Sequence, residues 1–206
     1  PFYLMAPDWL LLPLVGLATS ERFDWPEPEK VKAAIEQCKA FVRLSHDLGS
    51  SGIRVFPNNY HKDVPAQQTI AQIARAVSEV GAFAADYGQQ VRLEAHGPAG
   101  DLPSIRAIMD QVTQPNVRVK LNSEKRNTEG QGFEYQFNLV KDLLGGTLHL
   151  HELDKPDFPH QLQVNLLRQI GWNGWALMEA SAKVPDRVQA LIQQRELWDA
   201  LMAKSS

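Results

Sequence analysis

Residues 91–97 read VRLEAHG and residues 117–123 read VRVKLNS. In the first, Val91, Leu93 and Ala95 share one parity while Arg92, Glu94 and His96 share the other. In the second, Val117, Val119 and Leu121 oppose Arg118, Lys120 and Asn122. Alternation with period two predicts strands, and it sorts the polar residues onto one face. A parallel strand covered by helices on both faces should be apolar almost throughout. The polar face must therefore look away from the helices. Residues 146–153, GTLHLHEL, repeat the pattern with His149 and His151 against Leu148 and Leu150. Residues 171–180, GWNGWALMEA, end an apolar strand on Glu179.

Around these strands the pattern switches between period two and period 3.6. Leu14–Leu17 is a short apolar run suited to a first strand, and Gly52–Phe56 to a second. Helices are predicted from Pro28 with Gly49 as the stop, through Ile70–Ala84 to Gly88, and from Pro103. Further helices are predicted over Phe133–Leu144 and Leu162–Ile170, and from Pro185 through Val188, Leu191, Ile192 and Leu201. Strands separated by helices run parallel, as an open doubly wound sheet or a closed barrel. No glycine-rich phosphate loop follows any strand. In a barrel, the C-terminal strand ends converge on the reaction site. Glu94, Asn122, His149 and Glu179 would then surround one point, a donor set suited to Mg²⁺ or Mn²⁺, with Zn²⁺ or Co²⁺ as alternatives.

The ordered series RLEAHG, VKLNS, GTLHLHEL and GWNGWALMEA resembles strands five to eight of the xylose-isomerase-like family of sugar isomerases and epimerases. LVGLAT (14–19) and GIRVFPN (52–58) are similar to its strands three and four. The resemblance implies a (β/α) TIM-type barrel over a single domain, residues 1–206, with six βα units recognisable and the first two apparently absent. It implies one divalent metal on Glu94, Asn122, His149 and Glu179, with Glu94 and Glu179 as catalytic carboxylates that move a proton through an enediolate. Two departures stand out. The family's Asp position is Asn122 here, which lowers the site's charge, and Lys125 stands where a second His is often found.

Each candidate has a structural alternative. Glu94 and Glu179 could be satisfied by salt bridges to Arg92 or Lys120, since an unpaired buried carboxylate is costly. A strand histidine is commonly a hydrogen-bonded core residue. His149 is preferred over His151 as the ligand because HLHE aligns with the family's H-x-K-D, leaving His151 and Glu152 as neighbours of the metal shell or substrate contacts. His96, His151, Asn58 and Lys125 are candidates for sugar contacts, Lys125 being the one member singled out from the charged run 122–129, which reads as a solvated loop over the site. Trp172 and Trp175 could stack on a sugar, but packing beside the last strand is the simpler reading. Cys38 lies on the apolar stripe of a helix and reads as a buried small hydrophobe.

A net charge of -3 and a pI near 6.1 supply no broad attraction for nucleic acid or anionic lipid. They also oppose the rival within the superfamily, a metal-dependent endonuclease, which needs a basic surface and more ligands than six histidines allow. Phe2–Leu17 is apolar but broken by Pro7, Asp8 and Pro13, with no basic segment before it, so no membrane span is expected. One cysteine excludes an internal disulfide and suits the cytoplasm. The expectation is a metal-dependent aldose–ketose isomerase or epimerase acting on a sugar or sugar phosphate, in a homo-oligomer or alone. The alternative is a sugar-binding or regulatory barrel that has lost turnover.

Overall fold

Six parallel strands alternate with six α-helices through residues 13–205, the part of the chain that the computed structural model describes. In chain order they are β1 (Leu17–Arg22), α1 (Pro28–Asp47), β2 (Gly52–Phe56), α2 (Ala66–Ala85), β3 (Gln90–Glu94) and α3 (Leu102–Met109). Then come β4 (Val117–Lys120), α4 (Phe133–Val140), β5 (Thr147–Leu150), α5 (His160–Gln169), β6 (Trp175–Met178) and α6 (Arg187–Lys204). Spatial order follows chain order: β1 to β4 form one ladder and β5–β6 another. Parallel bridges Val119–Leu144 and Asn122–His149 join them, with the register slipping in between. Among the described residues β1 and β6 do not pair, so the barrel is not closed.

The outward parity of the strands meets the helices. Ile53, Val55, Val91, Leu93, Val119 and Leu121 are fully buried there, against Ile73, Val77, Ile105 and Ile108. Leu93 sits mid-sheet with no exposure, so Leu93→Ala should cost about 2–5 kcal/mol of unfolding free energy, transfer and cavity together. Urea denaturation would show it as a lowered midpoint with an unchanged slope.

The inward parity is polar for a steric reason as well as a chemical one. Arg92 lies 2% exposed across the bottom of the barrel interior. It donates to the Val15 and Ser51 carbonyls, to Ser51 Oγ at 2.6 Å and to Gln90 Oε1. Burial pulls its pKa down to about 10, which leaves it charged at neutral pH. A Cβ on Gly16 would come within 2.8 Å of its guanidinium, and Gly145 and Gly146 flank it on the other side. Those glycines make room for an arginine where other barrels have apolar filling.

Three sequence expectations are corrected. The first strand is Leu17–Arg22 rather than Leu14–Leu17. Leu14 is 44% exposed, while pairing with β2 carries the strand on through Thr19–Arg22. The helix expected over Phe133–Leu144 stops at Val140 and ends in a 3₁₀ turn, Lys141–Leu143. The apolar stripe of α6 does not pack: Val188, Leu191 and Ile192 are 47–69% exposed. Asp186 caps this helix by accepting from the Val188 and Gln189 N–H groups. Gln194 holds it in place by donating to Asp154 and accepting from the Leu153 N–H, with Trp198 packed on the core. The expectations for residues 1–12 lie outside the described residues. No helix among the described residues is long and apolar enough to cross a membrane.

Candidate metal and sugar site

Glu94 ends β3, Asn122 lies just past β4, His149 is within β5, and Glu179 follows β6. The four meet above the Arg92 layer. Ligand atoms of Glu94, His149 and Glu179 all lie within 4.8 Å of one another. His149 Nδ1 stands 3.2 Å from Glu94 Oε1 and 3.0 Å from Glu179 Oε2. The Asn122 amide donates to Glu94 Oε1 at 3.1 Å and to Glu179 Oε2 at 3.3 Å. Glu94 and Asn122 are fully buried, while the Glu179 side chain is 40% exposed and faces the opening.

Two cations reach the same point. Lys120 Nζ lies 2.6 Å from His149 Nε2 and 3.5 Å from Glu94 Oε2. Arg54 Nε lies 3.5 Å from that same oxygen. Burial by itself would raise the Glu94 pKa, but the hydrogen bond from the His149 ring and the nearby Lys120 and Arg54 hold it down at about 2. Burial lowers the Lys120 pKa to about 8, the Glu94 charge opposing that fall. The salt-bridge alternative therefore holds in part. Lys120 answers Glu94 as foreseen, whereas Arg92 turns to the barrel floor and Arg54 takes its place. A cavity of about 70 Å³ separates Lys120 and His149 from Arg92, room for ordered water rather than a sugar.

The donor set fits a divalent cation in part. Glu94 Oε2 and Asn122 Oδ1 are buried with no hydrogen-bond donor, so both keep unused lone pairs. Asn122, however, turns its NH₂ toward both carboxylates, and its amide would have to turn over to ligate.

The remaining candidates divide. His96 packs on Phe56 with ring centroids 4.7 Å apart, and its Nδ1 is buried without a partner at the β3 end. His151 is not in the cluster; its Nδ1 lies 3.0 Å from the Glu179 carbonyl and holds the end of β6. Asn58 acts through its backbone. At φ 63° it takes the left-handed conformation that Asn tolerates, and its carbonyl accepts from Ala99 N–H. Gly97 is required beside it, since a Cβ there would come 2.3 Å from the Asn58 oxygen. Lys125 is exposed at the start of a 3₁₀ turn. The loop 122–129 is more structured than a solvated run: Asn127 is fully buried, donating to Asn122 O, and Arg126 donates to Gly97 O at 2.6 Å. Trp172 packs beside β6 and donates to Gly145 O, while Trp175 is 53% exposed. Cys38 is fully buried, and burial raises its thiol pKa.

Glu152 is a loop clamp. Its Oε1 accepts from the Ser181 and Ala182 N–H groups at 2.9 and 2.7 Å, and its Oε2 from Lys155 at 2.7 Å. It thereby fixes the backbone just after Glu179. Burial would raise its pKa, but these bonds, led by Lys155, lower it to about 2. The folded-state value lies below the unfolded one, so its stabilisation is present above about pH 4.3 and is lost as pH falls toward 2. Glu152→Gln should cost about 1–3 kcal/mol at pH 7. The gap from wild type should close between pH 4 and 2 in urea titrations.

Sequence comparison assigns residues 10–201 to the xylose isomerase-like TIM barrel, and the chain belongs to that family. No curated protein matches its sequence. Solved structures with the same fold include 3-keto-D-glucoside 4-epimerase from E. coli, at 16% identity over 93% of this chain and 80% of the other, TM-score 0.77. D-Psicose 3-epimerase from Clostridium cellulolyticum H10, solved with D-tagatose, is 18% identical over 90% and 73%, TM-score 0.69. The IolI protein with a bound zinc atom is 14% identical over 93% and 77%, TM-score 0.74.

Proposed function

We propose that this chain is a metal-assisted sugar epimerase or isomerase, with its reaction centre at Glu94, Asn122, His149 and Glu179. The observation that carries this is the convergence of two carboxylates and an imidazole within 4.8 Å at the C-terminal strand ends. Epimerases among the structural neighbours support it. A divalent ion held there, Mn²⁺ or Mg²⁺ before Zn²⁺ or Co²⁺, would polarise a substrate carbonyl and its neighbouring hydroxyl.

The protein's own groups supply the rest. Glu179, open to the barrel mouth, can reach a substrate C–H and take its proton as general base. Glu94, fully buried and ionised, anchors His149 and fixes negative charge beneath the substrate. His96, just past β3, and Arg126, tied to the Gly97 carbonyl, would meet substrate hydroxyls. Returning the proton to the opposite face of the same carbon gives epimerisation, and to the neighbouring carbon gives isomerisation.

The test is solvent exchange. Ketohexoses and 3-keto-glucosides incubated in D₂O with enzyme and Mn²⁺ should gain deuterium beside the carbonyl, read by NMR. No exchange with any of them, with or without metal, would reject the reading. A second reading, a sugar-binding barrel without turnover, draws on Asn122 and Lys120, which answer the carboxylates without a metal. Sugar binding by calorimetry without exchange would favour it.

A further inference from the structure

We infer that Lys120 sets the metal affinity of this site: its ammonium stands in a cation's place on Glu94 and His149 and keeps divalent binding weak. The inference rests on the metal site proposed above, but concerns a residue that site does not include.

The geometry argues through the His149 ring. An ammonium carries three donors and no acceptor. Lys120 Nζ, 2.6 Å from His149 Nε2, therefore fixes the ring's lone pair on Nε2 and its hydrogen on Nδ1. Nδ1 is the nitrogen that faces Glu94 and Glu179. The ring thus shows the cluster an N–H where a metal needs a lone pair. For Nδ1 to ligate, the hydrogen must pass to Nε2, where it would confront the ammonium, donor against donor. Lys120 acts through His149 and is a positioning residue.

Charge points the same way. Glu94 and Glu179 carry two negative charges, and Lys120 and Arg54 bring two positive ones to the same point. Asn122 closes the network by donating to both carboxylates. The set is balanced without an added ion, so a divalent cation would leave a positive excess in a buried space. Lys120 is 3% exposed, and the β3–β4 pairing sets it opposite Glu94.

The experiment is a calorimetric titration of Mn²⁺ into wild type, Lys120→Met and Lys120→Gln, with ¹⁵N NMR of the His149 ring. Lys120→Met should bind Mn²⁺ about tenfold or more tighter than wild type. Lys120→Gln should fall between them, because its amide keeps a donor on Nε2 but brings no charge. In metal-free wild type the ring hydrogen should reside on Nδ1. Unchanged or weaker binding in Lys120→Met overturns the inference. So does a wild-type ring protonated on Nε2 alone, a readout that needs no variant to fold. The D₂O exchange assay separates this from the functional reading. Tighter metal without exchange keeps this inference and rejects the epimerase; exchange in wild type with no change in Lys120→Met does the reverse.

Discussion

Glu179→Gln is expected to lower deuterium exchange into a sugar substrate by about 10²–10⁴-fold while the fold survives. Glutamine keeps the shape and can still meet His149, but it cannot take a proton at neutral pH. The side chain is 40% exposed, so loss of its charge leaves little buried and unpaired. Unfolding free energy should change by little more than the surface-pair scale, about 1 kcal/mol or less. Mn²⁺ affinity should also fall by about tenfold or more, since one of only two anionic ligands is gone. Glu94→Gln is the informative contrast. There the carboxylate is fully buried between Lys120, Arg54 and His149, and removing it strands two cations. Its loss should cost about 3–5 kcal/mol of stability. Activity lost in Glu94→Gln would thus mix folding with metal binding, whereas loss in a well-folded Glu179→Gln reports on chemistry. Exchange at wild-type rates in Glu179→Gln would remove that residue from the reaction.

The sequence was most readable where glycine or proline bounds an apolar run. Gly52–Phe56, closed by Pro57, and Thr147–Leu150, opened by Gly145 and Gly146, are strands over the expected spans. It was least readable at β1 and α6. β1 continues through polar Thr19–Arg22 because it still pairs with β2 there, Arg22 against Phe56, and α6 leaves its stripe exposed because nothing among the described residues covers that side. Period two placed Glu94, Asn122, His149 and Glu179 on one face, and the structure brings those four together. The same parity also marked Arg92 and Lys120, whereas Arg54 in β2 went unmarked. It could not say which cation meets which acid, because that depends on height along the barrel axis. Arg92 lies one inward step below Glu94, and that step sends it to the floor. Within its loop Lys125 was singled out, but turn geometry puts Arg126 inside and Lys125 outside.

Asn122→Asp should reverse the sign of the site's response to metal. In wild type the Asn122 NH₂ bridges Glu94 Oε1 and Glu179 Oε2. The opposite amide orientation would set oxygen against oxygen, so the donor role is fixed by its neighbours. Aspartate removes both donated bonds and places a third carboxylate at the same point. Without metal, the variant should lose about 1–3 kcal/mol of stability, from the broken bonds and like-charge contact. With Mn²⁺ the same charge becomes a ligand, and affinity should rise about tenfold, on the order of 1.4 kcal/mol. Thermal melts in EDTA and in Mn²⁺ would show both halves: a lower midpoint than wild type in the first, and a larger metal-induced rise in the second. The combination with Lys120→Met should exceed either change alone, because the two residues occupy the metal's place by different means, one by charge and tautomer, the other by donated hydrogen. These side chains share partners, so their effects should not simply add. A lower midpoint in EDTA with no recovery in Mn²⁺ would mean that Asn122 faces carboxylates that never hold a metal, and the cluster would then be a balanced structural network at the barrel mouth.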